Sequence, residues 1–185
     1  MNRNTPICRR TFLRRAAGVA AAVPLLPYAR QGLAAVSDAR AIAFEHTHTR
    51  ESLTLVYAAG GRYLPDALAA VNRFLRDHYS GEVGTMDPRL LDQLHALKLA
   101  FGTERPFHVI SGYRCAKTNE KLRAHGGGGV ARNSLHLEGR AIDIRLPGVA
   151  LAQLRDAALD MKAGGVGFYP ASDFVHIDTG RVRHW

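Results

Sequence analysis

Leucines spaced three and four residues apart predict the clearest helix of the chain. Leu90, Leu94, Leu97 and Phe101 would share one face of a helix that begins after Asp87. An aspartate followed by proline suits the N-cap and first position of a helix, and a glycine follows the last apolar residue. Weaker apolar spacing predicts three further helices, from Pro65 to Ser80, over 118–124 and over 151–161.

Short runs of apolar and β-branched residues between turn residues predict strands. The predicted strands are 41–46, 52–57, 107–110, 140–146, 166–169 and 174–178, and 134–136 is predicted to begin another. Short strands mixed with separate helices, without a repeat or linker, predict an α+β fold. We expect a single domain with a central antiparallel sheet flanked by helices.

Alternation within two of these strands separates polar from apolar side chains. Ile142 and Ile144 would face the core, which directs Asp143 to the opposite face of the strand. In the last strand His176 and Asp178 share the face opposite the apolar residues. Both strands therefore direct polar side chains away from the core.

Three polar residues form a candidate metal site. His136 and Asp143 are separated by a turn at Gly139, and His176 lies in the last predicted strand. Catalytic zinc takes three ligands from His, Asp and Glu and keeps one position open, so we interpret His136, Asp143 and His176 as ligands of one Zn²⁺ per chain. Any one of them alone would more often be an ordinary hydrogen-bonded polar residue, whereas a structural zinc site would favour cysteine.

Hydrolysis of an amide by activated water needs two further groups. A carboxylate must take the proton of the water, and Asp173 and Asp178 are both candidates, with Asp173 preferred because it lies just outside the strand. Asp178 would alternatively orient a histidine ligand. Arg114, in a turn after an apolar strand, is the candidate donor to the oxyanion.

The net charge of +9 is concentrated near the N-terminus. Residues 1–34 hold six of the 25 basic residues and none of the 16 acidic ones, which leaves a nearly balanced remainder. This distribution argues against a nucleic-acid partner. Hydrophobic residues make up 46% of the chain, enough for a packed core.

The first 34 residues resemble a twin-arginine export signal. A pair of arginines, Arg9 and Arg10, precedes a short alanine-rich run that prolines interrupt, and small residues follow near Ala34. The run is too short for a membrane span. We therefore predict a signal peptide over 1–34, a zinc metallopeptidase domain over 35–185, and a periplasmic or cell-wall location. Cys115 would be the one cysteine left after cleavage, so no internal disulfide is expected.

The pattern Ser-x-His-x-x-Gly-x-Ala-x-Asp over 134–143, followed by a histidine in a late strand, resembles the zinc-binding pattern of the M15 peptidases. The segment 111–114 matches the part of those enzymes that carries the substrate or transition-state arginine. The similarity is greatest to the exported, murein endopeptidase K-like branch and covers nearly the whole of 35–185. The resemblance does not decide which carboxylate is the general base. M15 enzymes place an acidic residue where Asp173 lies, whereas close relatives have an aspartate more regularly at the position of Asp178.

The resemblance implies zinc at the three predicted ligands and cleavage of peptide cross-links in peptidoglycan, with its stem peptides as partners. A D-alanyl-D-alanine carboxypeptidase of the same chemistry is the nearest alternative. A non-catalytic wall-binding protein is a third, which the complete ligand set disfavours. The type of cross-link, the oligomeric state and any regulatory partner stay open.

Overall fold

A computed structural model describes residues 38–125 and 130–185. The predicted signal peptide over 1–34 lies outside the described residues. In chain order the elements are β1 Arg40–His46, β2 Ser52–Ala59, β3 Arg62–Tyr63, α1 Pro65–Phe74, α2 Pro88–Phe101, β4 Phe107–Ser111, α3 Ala116–His125, a 3-10 helix Leu135–Glu138, β5 Ala141–Arg145, α4 Leu151–Asp160, β6 Gly165–Tyr169, a 3-10 turn Pro170–Ser172, β7 Phe174–Asp178 and β8 Arg183–His184. No helix within these two ranges is both long and apolar enough to cross a bilayer.

The strands form one mixed sheet in the order β3-β2-β1-β4-β5-β7-β6-β8. The predicted α+β class is confirmed, and most neighbouring strands are antiparallel as expected. Two pairs, β1 with β4 and β6 with β8, are instead parallel. The chain reaches β4 from β1 through two more strands and two helices, and a crossover of that length allows the parallel direction.

The hydrophobic core lies between one face of the sheet and the helices. Ile42 and Phe44 from β1 meet Leu90, Leu94 and their neighbours from α2 in this layer. Alternation along β5 and β7 adds their isoleucines and valine to the same core, as the sequence predicted. The other face of these strands is free to carry polar side chains.

Helix α2 begins and ends as predicted. The Asp87 side chain accepts a hydrogen bond from the amide of Arg89, and Gly102 ends the helix in the left-handed conformation. Helix α1 is shorter than predicted and ends at Phe74. The Asp77 carboxylate accepts from the amides of Tyr79 and Ser80, and these bonds form a turn where the prediction continued the helix.

The prediction that 134–136 begins a strand is wrong, because Leu135–Glu138 forms a 3-10 helix. Strand β5 already pairs with β4 on one side and β7 on the other, so no ladder position is left for this segment. Gly139 ends the helix at φ 65°, and a Cβ there would lie 2.0 Å from the carbonyl oxygen of Thr85. Only glycine fits this close approach.

Three histidines connect the turn after β1 to the segment after α1. The rings of His48 and His78 stack at 4.2 Å between centroids, and His46 meets His78 edge-on at 5.4 Å. The Nε2 atoms of His46 and His78 are buried and have no hydrogen-bond partner among the described residues. Burial, together with repulsion between the imidazoles, lowers the pKa of both residues to about 4.

This cluster predicts a loss of stability in mild acid. The unfolded chain takes up protons on these histidines near pH 6.5, whereas the folded chain does so only near pH 4, so stability falls as pH falls through that window. We expect a loss of about 1–3 kcal/mol, mostly from His46 because His78 is partly exposed. Urea unfolding of the full chain with a chelator, at about pH 6.5 and about pH 4.5, measures this difference in the free energy of unfolding.

His46→Asn retains an acceptor for the amide of His48 but does not titrate in this window. The variant should lose less than half as much stability as the wild type over the same pH interval. His125→Asn, at an exposed position, is the matched control and should behave like the wild type. An unchanged pH dependence in His46→Asn would contradict the explanation.

Candidate metal centre

The pairing of β5 with β7 brings two of the predicted ligands together. Asp143 lies directly opposite His176 in this antiparallel ladder, on the face away from the core. Their side chains meet, with Oδ1 of Asp143 2.8 Å from Nδ1 of His176. Because side chains alternate along a strand, the register alone determines that these two groups face each other.

The 3-10 helix before β5 supplies the third predicted ligand. His136 is 3% exposed, and its Nε2 lies 3.3 Å from both Oδ1 of Asp143 and Nδ1 of His176. The left-handed Gly139 turns the chain from this helix into β5, as the sequence predicted for a turn at this glycine. The correction from strand to 3-10 helix changes how His136 is presented, but His136 still lies beside the other two residues.

The three donor atoms fit a metal ion. One ligand atom from each of His136, Asp143 and His176 lies within 4.8 Å of the other two, and all three residues are buried. Two imidazole nitrogens and one carboxylate oxygen are a donor set that zinc binds in hydrolases, with a further position left for substrate or water. Within the two described ranges no other group of three such residues meets this distance.

Each histidine is oriented by a partner on its second ring nitrogen. Nδ1 of His136 donates to the carbonyl oxygen of Gly112 at 2.7 Å, which leaves Nε2 as the free lone pair. Nε2 of His176 donates to Oδ2 of Asp178 at 3.2 Å, which leaves Nδ1. Such partners fix the tautomer and ring orientation that metal ligation requires.

The charges of the centre reinforce one another. Burial by itself would raise the pKa of Asp143, but attraction and hydrogen bonds from His136 and His176 hold it well below its usual range. Burial disfavours protonated His176, yet its bonds to Asp143 and Asp178 outweigh this and raise its pKa to about 9. A metal ion must therefore displace a proton from His176 below that pH, and metal affinity should decrease as pH falls.

Arg114, the candidate donor to the oxyanion, lies beside the three residues. Its Nη2 is 3.8 Å from Oδ2 of Asp143 and 3.3 Å from Oγ of Ser111, and its Nη1 is 3.4 Å from Oδ1 of Asn119. The backbone amide of Arg114 also donates to the carbonyl of His136. The guanidinium is therefore held at the wall of the cleft into which the three residues open.

The two candidate base residues occupy very different environments. Asp178 is fully buried, and its oxygens accept from the amides of Gly165 and Gly180 and from both terminal nitrogens of Arg183, besides His176. Asp173 lies in the turn before β7, outside the set of described residues that line the cleft, with its side chain 64% exposed and in an ion pair with Arg145 at 2.6 Å. One carboxylate is thus enclosed by donors, while the other faces solvent.

Several residues that support the site had no role in the sequence interpretation. Asp77, 1% exposed, accepts from the amide of Cys115 and thereby anchors the segment that carries Arg114. Arg183 and Trp185 from the end of the chain line the cleft. Their positions depend on the β6–β8 pairing, which neither alternation nor spacing indicates.

The buried His–Asp–His cluster, with an arginine beside it and a cleft above it, defines a candidate metallohydrolase centre on an α+β scaffold. The family model described as peptidoglycan L,D-endopeptidase MepK matches residues 34–185, and the chain belongs to this family. The prediction of an M15-type peptidase is thereby confirmed.

Two relatives show the extent of the similarity. The chain is 43% identical over 168 residues to the peptidoglycan L,D-endopeptidase MepK of Escherichia coli (strain K12), covering 91% of this chain and 92% of the relative. It is 34% identical over 169 residues to the probable peptidoglycan L,D-endopeptidase MepK of Haemophilus influenzae, covering 91% and 90%. Both matches therefore extend over nearly the full length of both proteins.

Replacement of Asp178 should weaken metal binding. Asp178→Asn removes the charge that orients His176, and zinc affinity should fall about 10–100-fold. Isothermal titration of the metal-free full chain measures the affinity, and circular dichroism checks that the variant is folded. Asp173→Asn, at an exposed position, is the matched control and should bind zinc as the wild type does. A folded Asp178→Asn variant with wild-type affinity would contradict this role.

Proposed function

We propose that the chain is an exported, zinc-dependent endopeptidase that hydrolyses the L,D peptide cross-links of peptidoglycan. The observation that carries the proposal is the convergence of His136, Asp143 and His176 at the floor of a cleft that Arg114 also lines. The names of the relatives in Escherichia coli and Haemophilus influenzae support the substrate and the bond type. Stem peptides of peptidoglycan are the proposed partner.

Zinc would be held by Nε2 of His136, Oδ1 of Asp143 and Nδ1 of His176, one ion per chain. When bound, it supplies Lewis acidity that polarises a peptide carbonyl and acidifies water. The protein contributes the orientation of the two imidazoles through Gly112 and Asp178. The depth of the three groups, each less than 9% exposed, limits competition from bulk water.

Arg114 is the proposed stabiliser of the oxyanion. The Arg114 side chain is 11% exposed and its guanidinium is fixed by Ser111 and Asn119, so it need not be reorganised when negative charge develops on the substrate oxygen. The weak 3.8 Å contact with Asp143 leaves donors available to the substrate. A preorganised and largely buried cation stabilises such charge far better than one in water.

We assign the general base to Asp173 and the orientation of His176 to Asp178. Asp178 has no exposed surface and both of its oxygens are engaged by donors, so it has no lone pair directed at a water molecule in the cleft. Asp173 is accessible, and its partner Arg145 is itself 37% exposed. An exposed ion pair of this kind is weak and can exchange for substrate or water.

Export through the twin-arginine pathway and a periplasmic or wall-associated location complete the proposal. They rest on the arginine pair and alanine-rich run of the first 34 residues and on the location of the proposed substrate.

Digestion of purified sacculi tests the proposed reaction. Zinc-loaded protein should remove L,D-cross-linked muropeptide dimers and leave D,D-cross-linked dimers intact. A chelator should abolish the loss, and added zinc should restore it. His136→Ala, which lacks one donor, is the matched inactive control.

Release of D-alanine without loss of dimers would instead indicate a carboxypeptidase. The absence of any product from zinc-loaded protein would leave a non-catalytic wall-binding role. Full hydrolysis by His136→Ala would refute the metal assignment.

The assignment of the base has its own test. Asp173→Asn should lower kcat by about 10²–10⁴-fold, because the variant cannot accept the proton, while zinc affinity stays within about twofold of wild type. Steady-state kinetics on a soluble cross-linked peptide, beside a zinc titration, separates the two effects. Arg145→Gln removes only the partner of Asp173 and should retain most activity. An Asp173→Asn variant with wild-type kcat would show that another residue is the general base.

A further inference from the structure

Three aromatic residues form a wall beside the candidate metal centre. Tyr169, Phe174 and Trp185 line the same cleft as the three proposed ligands, and we call them the aromatic wall. Tyr169 and Phe174 stack at 4.6 Å, and the ring of Trp185 lies 5.3 Å from that of His176. An aromatic surface of the cleft therefore lies next to His176.

The chain is shaped to hold the indole in this place. Trp185 extends the sheet beyond β8, since its amide donates to Val166 and its carbonyl accepts from Phe168. A Cβ on Gly167 would lie 2.8 Å from the indole ring, so only glycine lets the ring lie across β6 next to His176. The indole Nε1 donates to the hydroxyl of Tyr169 at 2.7 Å.

Despite these contacts Trp185 remains 49% exposed, and it is the one tryptophan of the chain. An indole that only filled the core would be far more buried. A large aromatic side chain fixed by hydrogen bonds, with half of its surface open to a cleft, is typical of a binding wall.

Two arginines lie at the wall, and Arg183 is paired there with the buried carboxylate of Asp178. The Arg183 guanidinium lies 4.8 Å from the centre of the Trp185 ring, and Arg114 lines the cleft as well. The one acidic residue among the described lining residues is Asp143, which belongs to the proposed ligands. The cleft therefore offers an aromatic surface directly beside the proposed ligands, which suits an aliphatic chain next to the scissile amide.

We propose that the aromatic wall is the subsite for the aliphatic side chain that links two stem peptides, and that Trp185 determines the preferred length of that chain. The inference rests on the proposed function. A cross-link between stem peptides runs through the side-chain amine of a diamino acid, so methylene groups adjoin the scissile amide. Contact of these methylenes with the indole aligns the amide with the centre.

Two synthetic cross-linked peptides test the proposal. They share the stem peptides and the scissile amide, but in one the linking side chain is two methylene groups shorter. Wild-type kcat/KM should favour the longer linker by about tenfold or more, since each buried methylene is worth about fourfold. Trp185→Ala should reduce this preference to about twofold or less, mainly through a higher KM for the longer peptide.

Three comparisons separate recognition from structural support. Trp185→Phe keeps an aromatic surface and should retain most of the preference. Leu99→Ala removes another exposed apolar side chain, near the end of α2, and its linker-length preference should match that of the wild type. Zinc affinity of Trp185→Ala should stay within about twofold of wild type. Unchanged length preference in Trp185→Ala, or loss of its zinc, would overturn the proposal.

Fluorescence gives a readout that does not depend on hydrolysis. Because Trp185 is the only tryptophan, titration of the metal-free full chain with the longer peptide should produce a saturable change in its emission. The shorter peptide should bind at least several-fold more weakly. If zinc-loaded wild type cleaved neither peptide, the proposed function would fail, while this titration would still decide whether the wall binds the linker. No change in emission with a peptide that is cleaved would refute the subsite.

Discussion

The buried carboxylate of Asp178 is the interaction on which the site and the end of the sheet both depend. Removing a carboxylate from water is costly unless donors surround it. Here burial is outweighed by His176, Arg183 and the amides of Gly165 and Gly180, which keep the pKa of Asp178 well below its usual range. These four donor residues come from three places in the chain, so the charge holds β7, the start of β6 and β8 in one arrangement.

Strand register is the second constraint, and it acts through geometry rather than charge. The pairing Asp143 with His176 requires β5 and β7 to keep the alignment that also buries Ile142, Ile144, Val175 and Ile177. A slip by one residue would turn the isoleucines to the cleft and both polar groups into the core. Burial of the apolar side chains on one face therefore stabilises the register that places the proposed ligands together on the other face. Favourable contacts between the ligands are not required for this.

The part of the site that follows from alternation could be predicted from the sequence. The two-residue period of a strand was enough to predict that Asp143 and His176 face away from the core. The glycine at position 139 indicated the turn beside His136. The parallel pairs of the sheet could not be predicted, because pairing across long crossovers leaves no local pattern. For the same reason the 3-10 helix at Leu135–Glu138 was missed: it forms because both edges of β5 are occupied, which is a tertiary fact.

The two aspartates show why side-chain roles are harder to predict than positions. The sequence gives only a slight preference for Asp173 over Asp178 as the base, and what distinguishes them is the set of donors that the fold gathers around each. The donors to Asp178 include Arg183, whose guanidinium also packs against Trp185. One buried charge thus connects the orientation of a proposed metal ligand to the wall that would hold the substrate. Because both depend on the same strand, the end of the chain belongs to the site as much as the motif around His136 does.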